Sequence, residues 1–168
     1  MAGFSSSAGP ICDSSKGKEL AIDYDEDVPF QPHVLVVDDE YIFRELHKSK
    51  FEKHSCIVTT VNDGSQALEV LGIGDGKKGS GIDTHSRTVD LVVCTNDCML
   101  PGMSGYELLV KMKKSPTTKD VPVVFVSTSD QDRINECMEA GAVDFILKPL
   151  KSADVENLVK LVTDVRGR

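Results

Sequence analysis

From His33 onward, five short apolar runs alternate with five segments of helical periodicity. The runs "HVLVVD", "CIVTTV", "VDLVVCT", "VPVVFVS" and "VDFIL" are continuous or β-branched, which suits strands covered on both faces. Of the segments between them, "EYIFRELHKSKFEKH" carries Ile42, Leu46 and Phe51 near helical spacing. "DGSQALEVLG" offers Asp63 or Ser65 as a helix start and Gly72 as its stop. "SGYELLVKMKK" has Tyr106, Leu109, Val110 and Met112 for an inner side, and "DQDRINECMEAG" ends at Gly141. "SADVENLVKLVTDVR" places Ser152 as an N-cap ahead of Val155, Leu158, Leu161 and Val162. A strand–helix unit repeated five times predicts an α/β fold, a parallel sheet with helices on both faces.

A length of 168 residues suits one domain, expected over residues 31–168. Residues 1–30 are rich in Ser, Gly and Asp and are expected to form a disordered tail. Residues 72–88 read as a mobile Gly-rich loop. Its glycines (Gly72, Gly74, Gly76, Gly79) follow a helix and precede none, the reverse of a phosphate-cradling loop. The net charge of −8 argues against direct binding to nucleic acid or an anionic membrane. No apolar run approaches the ~20 residues of a membrane span. Five scattered cysteines without an apolar leader segment fit reduced thiols in the cytosol or nucleus. His33, His47, His54 and His85 are dispersed and pair with no candidate nucleophile; Lys111–Lys114 reads as a solvated helix face.

In an open parallel sheet the functional crevice lies at the carboxyl ends of the strands. The first run delivers Asp38 and Asp39 there, the third Asn96 and Asp97, the fourth Ser127 and Thr128, and the fifth Lys148 followed by Pro149. Clustered carboxylates repel one another unless a cation joins them, and oxygen ligands of this kind suit Mg²⁺. One carboxylate is then free to attack phosphorus, while a lysine and a hydroxyl neutralise the phosphoryl oxygens. The set fits phosphoryl transfer to an aspartate.

"VLVVDDE", "DCMLPGMSGYELL", "VPVVFVSTS" and "AGAVDFILKPL" resemble the receiver domains of two-component response regulators, over about residues 33–165. "VTTVNDGSQALEVLG" and "DRINECMEAGA" are similar to plant type-A response regulators of cytokinin signalling. The resemblance implies a flavodoxin-like (βα)5 sheet with strand order 2-1-3-4-5. It implies an Mg²⁺ site of Asp38, Asp39, Asp97 and the Met99 main-chain carbonyl, with Asp97 the phosphoacceptor. Ser127 matches the switch hydroxyl, Thr128 the small residue beside it, and Lys148 the phosphoryl-pairing lysine, with a cis bond to Pro149. Phe145 matches the aromatic that swings inward with Ser127.

One stretch departs from the family pattern. Counting back four residues from Pro101 selects Asp97 as the acceptor. Counting forward from Asp90 and Leu91 finds that acid about two residues late, and aligning the Thr and Cys-Met of this stretch puts Asn96 there instead. An asparagine forms no acyl phosphate.

Three functions follow as expectations. The first is a stand-alone, non-enzymatic and monomeric receiver of the nucleus and cytoplasm. It takes its phosphoryl group from a histidine phosphotransfer protein and restrains cytokinin signalling, acting by competition or on other signalling proteins. The second, from the Asn96 register, is a phosphorylation-independent pseudo-receiver that binds partners. The third is an Mg²⁺-dependent phosphohydrolase, which needs an Asp-x-Asp pair that "VVDDE" does not supply.

Overall fold

The computed structural model describes residues 29–74, 88–95, 102–128 and 131–166. The expected tail (but for its last two residues), most of the 72–88 loop, and Asn96, Asp97 and Met99 lie outside them. The elements alternate as expected: β1 (His33–Val37), α1 (Tyr41–Glu52), β2 (Ile57–Val61), α2 (Gly64–Leu71), β3 (Leu91–Thr95), α3 (Gly105–Lys114), β4 (Val123–Ser127), α4 (Gln131–Glu139), β5 (Asp144–Leu147) and α5 (Ser152–Arg166). The strands form one parallel sheet in the order β2-β1-β3-β4-β5. β1, β3 and β4 are buried along their whole length, which is why their sequences are unbroken apolar runs.

Successive strand residues point to opposite faces, so the sheet carries two cores. Leu35, Val92 and Phe125 pack beneath Ala67 of α2, Leu108 and Met112 of α3 and Cys137 of α4. Val34, Val93 and Val124 pack beneath Phe51 of α1 and Val155, Leu158 and Val162 of α5. At the sheet edge opposite the strands' carboxyl ends, Asp90 joins three elements. It accepts from the His33 N–H at 2.8 Å and pairs with Arg166, the last residue of α5, at 2.6 Å. Arg166 also donates to the Thr88 hydroxyl at 2.9 Å.

Side-chain caps open two of the helices, α2 and α3. Asp63 accepts from the Gln66 N–H at 2.8 Å to start α2, and Gly72 closes it in the left-handed region at φ 70°. Ser104 and Glu107 form a reciprocal capping box at the head of α3. Ser152, expected as an N-cap, is instead the first residue of α5. The Asp154 carboxylate takes the Lys151 N–H there at 2.8 Å.

α1 also departs from expectation. Phe51 is buried, but its inward stripe is shared with His47 four residues earlier. Ile42 is 77 % exposed and Leu46 is 46 % exposed. Ile42 and Leu46 share one stripe, displaced by about 100° around the helix from the stripe of His47 and Phe51, and one stripe of that width faces the sheet.

Candidate functional site at the carboxyl edge of the sheet

β1 ends at Val37, which is in register with Val61 of β2 and Cys94 of β3. The chain therefore leaves the sheet between two neighbours, with Asp38 fully buried and Asp39 exposed. Asp38 Oδ1 accepts from the Glu40 N–H at 2.9 Å, and Arg44 donates to the Asp38 main-chain carbonyl at 2.9 Å. The acid thus anchors the first turn of α1, whose Glu40 cap offers no side-chain bond of its own. Asp38 Oδ2 is buried with no hydrogen-bond partner among the described residues, and His47 Nδ1 faces it at 3.7 Å. Burial pushes the Asp38 carboxyl up, but His47, the Thr95 hydroxyl and the Glu40 N–H outweigh it and hold the group below its ordinary value.

Thr95 is the last residue of β3, fully buried, with its hydroxyl donating to the Val37 carbonyl at 3.3 Å. It is in register with Val126 of β4. Ser127 closes β4, buried, and Thr128 beyond it is exposed. The Lys148 N–H donates to the Ser127 carbonyl at 3.0 Å, which ties the end of β5 to the end of β4. The Lys148–Pro149 bond is cis, as expected. The Lys148 ammonium reaches back towards β1 and stands 5.1 Å from the ring centre of Phe43 in the first turn of α1. Phe145 is half-buried and stacks on its register partner Phe125, centroids 6.3 Å apart and planes at 19°.

The described edge therefore collects Asp38, Asp39, Ser127, Thr128 and Lys148 around the outlet of β3. Asn96, Asp97 and Met99, the residues expected at that outlet, are outside the described residues. The expected Mg²⁺ is tested by the acids themselves. They offer oxygen donors alone, and one buried carboxylate oxygen lacks a partner among the described residues. The residues present fit the ion. Sequence reasoning missed His47, Thr95, Arg44 and Phe43. Spacing along the chain carries no signal for them, because each meets the site through the fold.

A parallel sheet of this order, with acids, hydroxyl and lysine gathered at its carboxyl edge, defines a domain of the receiver class. Residues 34–160 match the response regulator receiver domain family, and the chain belongs to it. Its relatives include the two-component response regulator ARR3 of Arabidopsis thaliana, 46 % identical over 134 residues, 79 % of this chain and 56 % of that protein. ARR17 of the same plant is 46 % identical over 127 residues, 75 % of this chain and 81 % of that protein. The chain spans little more than half the length of several such relatives. Among solved structures, the chemotaxis response regulator CheY4 of Vibrio cholerae superposes with a TM-score of 0.64 at 20 % identity, covering 79 % of this chain and 99 % of that one. The receiver domain of the sensor histidine kinase PA1611 of Pseudomonas aeruginosa holds a magnesium ion in its active site cleft. It gives a TM-score of 0.63 at 22 % identity over 79 % of this chain and 97 % of that one. These likenesses show the fold.

Proposed function

We propose that this receiver is a phosphoryl-accepting switch that takes its phosphoryl group on Asp97 from a histidine phosphotransfer protein. The observation that carries the reading is the convergence of Asp38, Asp39, Ser127 and Lys148 on the edge from which β3 delivers that segment. A carboxylate oxygen of Asp97 attacks phosphorus, the P–N bond of the phosphohistidine breaks, and the freed imidazole nitrogen takes a proton. Asp38, Asp39, Asp97 and the Met99 carbonyl would hold Mg²⁺, which would supply charge neutralisation at the phosphoryl oxygens. Lys148 and the Ser127 hydroxyl meet the remaining oxygens. Phe145 couples Ser127 to the β4–β5 face, where two conformers separated by a few kcal/mol suffice for a switch. Support for a protein donor comes from α1, which exposes Tyr41, Ile42, Phe43 and Leu46 beside the site. The similarity to two-component response regulators of Arabidopsis thaliana supports a place in a phosphorelay, and the restraint of cytokinin signalling is part of the same proposal.

A second reading, a pseudo-receiver that binds partners without phosphorylation, rests on Thr95. The β3 residue whose hydroxyl lies against Asp38 is a threonine rather than a carboxylate.

Intact-mass spectrometry after incubation with acetyl phosphate, with and without Mg²⁺, tests both. One phosphoryl group on wild type and on Asn96→Ala, absent from Asp97→Ala and absent without Mg²⁺, supports the switch. No adduct on wild type, under conditions that label an ordinary receiver, overturns it in favour of the second reading.

A further inference from the structure

We propose that His47 is a positioning residue for the acid pair, its Nδ1 donating to Asp38 Oδ2 and holding that carboxylate in the orientation a divalent cation needs. The inference rests on the cation-binding reading of the site given above. Position 47 lies on the inward stripe of α1 with Phe51, a stripe that packs against the sheet and calls for an apolar side chain. A polar ring there is costly unless it is paired.

Asp38 Oδ2 and His47 Nδ1 are the two buried side-chain polar atoms that lack a hydrogen-bond partner among the described residues, and they face each other at 3.7 Å. Two orphans so placed are halves of one bond. A movement of about half an ångström brings them within hydrogen-bonding distance.

The rest of Asp38 is already committed. Oδ1 accepts from the Glu40 N–H, and the main-chain carbonyl accepts from Arg44. Oδ2 is thus the oxygen whose direction remains to be fixed. A carboxylate oxygen accepts on two lone pairs, so a bond from His47 leaves the second for a cation. Donors behind ligating carboxylates commonly contribute about 10- to 100-fold to metal affinity.

The test compares wild type, His47→Leu and His47→Asn. Mg²⁺ affinity is measured by isothermal titration calorimetry, and folding by far-UV circular dichroism in EDTA. Leucine fills the stripe without a donor; the asparagine amide nitrogen takes nearly the place of Nδ1. His47→Leu is expected to bind Mg²⁺ about tenfold more weakly, with His47→Asn close to wild type. Nitrogen-15 NMR of the wild-type ring, which needs no variant to fold, is expected to show a proton on Nδ1.

A folded His47→Leu with wild-type affinity overturns the inference. So does an asparagine variant as weak as leucine, which would mean packing rather than donation, and so does an unprotonated Nδ1. If wild type binds no Mg²⁺, the reading of the site itself fails. If wild type binds and His47→Leu binds equally well, this inference alone fails.

Discussion

Lys148 and Phe43 meet across the carboxyl edge of the sheet, the ammonium 5.1 Å from the ring centre. They come from opposite ends of the domain, one closing β5 and the other opening α1. A cation–π contact at a site this open is worth about 0.5–1 kcal/mol. If the ring pre-positions the lysine for an incoming phosphoryl group, Phe43→Leu should slow uptake from acetyl phosphate about two- to fivefold, with Mg²⁺ affinity unchanged. Time-resolved intact-mass spectrometry reads the rate. An unaltered rate would reduce the ring to a surface contact.

Gly64 reverses the usual effect of alanine in a helix. Alanine is the better helix former by up to about 1 kcal/mol. A Cβ added to Gly64, however, would stand 2.9 Å from the Met103 Cβ and 3.0 Å from its Cγ. Met103 lies on the approach to α3, so the clash sits between α2 and the turn that follows β3. Gly64→Ala should destabilise by about 1–3 kcal/mol, and Gly64→Ala with Met103→Ala should recover part of the loss. Urea unfolding of the two variants decides it.

The capping box at Ser104 orders the same approach. Its hydroxyl accepts from the Glu107 N–H at 3.1 Å, and the Glu107 carboxylate accepts from the Ser104 N–H at 3.1 Å. Ser104→Ala should cost about 1 kcal/mol and Ser104→Asp much less, since aspartate caps equally well. A urea midpoint for alanine no lower than wild type would show that the box contributes nothing to stability.

Buried thiols set an alkaline limit. Burial pushes Cys94 up to about 12, with Cys137 adding to the shift, and burial pushes Cys56 up to about 11, from ordinary values of 9.0. Their folded-state pKa values are raised, so the native chain holds protons that the unfolded chain loses. Stability is full below pH 9 and falls as pH rises towards the folded values, by about 1.4 kcal/mol per pH unit for each such thiol. Urea unfolding at pH 8 and at pH 10 measures the slope, which Cys94→Ala should make shallower. Equal slopes would show that Cys94 ionises as readily in the native chain as in the unfolded one.

The strands were legible because full burial on both faces writes itself as an unbroken apolar run: "HVLVV", "LVVCT" and "VVFVS" are each buried from end to end. Edge strands carry weaker signals, yet β2 declared itself through β-branching in "IVTTV". The strand-end residues were legible for the same reason, since a carboxyl edge is located once its strands are. The helix faces were harder. Ile42, Leu46 and Phe51 fit a helical period, but period does not say which of two adjacent stripes meets the sheet. His47 passed as a dispersed histidine because only the fold brings it to Asp38. Thr95 gave no sign of its contact with Asp38 for the same reason, its partner lying 57 residues earlier.

The junction of His33, Thr88, Asp90 and Arg166 fastens the entrance to β3 independently of whatever chain leads into it. The α2 helix, on the other side of that segment, is sealed by its own Gly72 cap. Both flanks are therefore secured locally, at the far end of the strands from the acids. A fluorescent label or affinity peptide spliced between these two flanks would be held by contacts remote from Asp38 and Asp39.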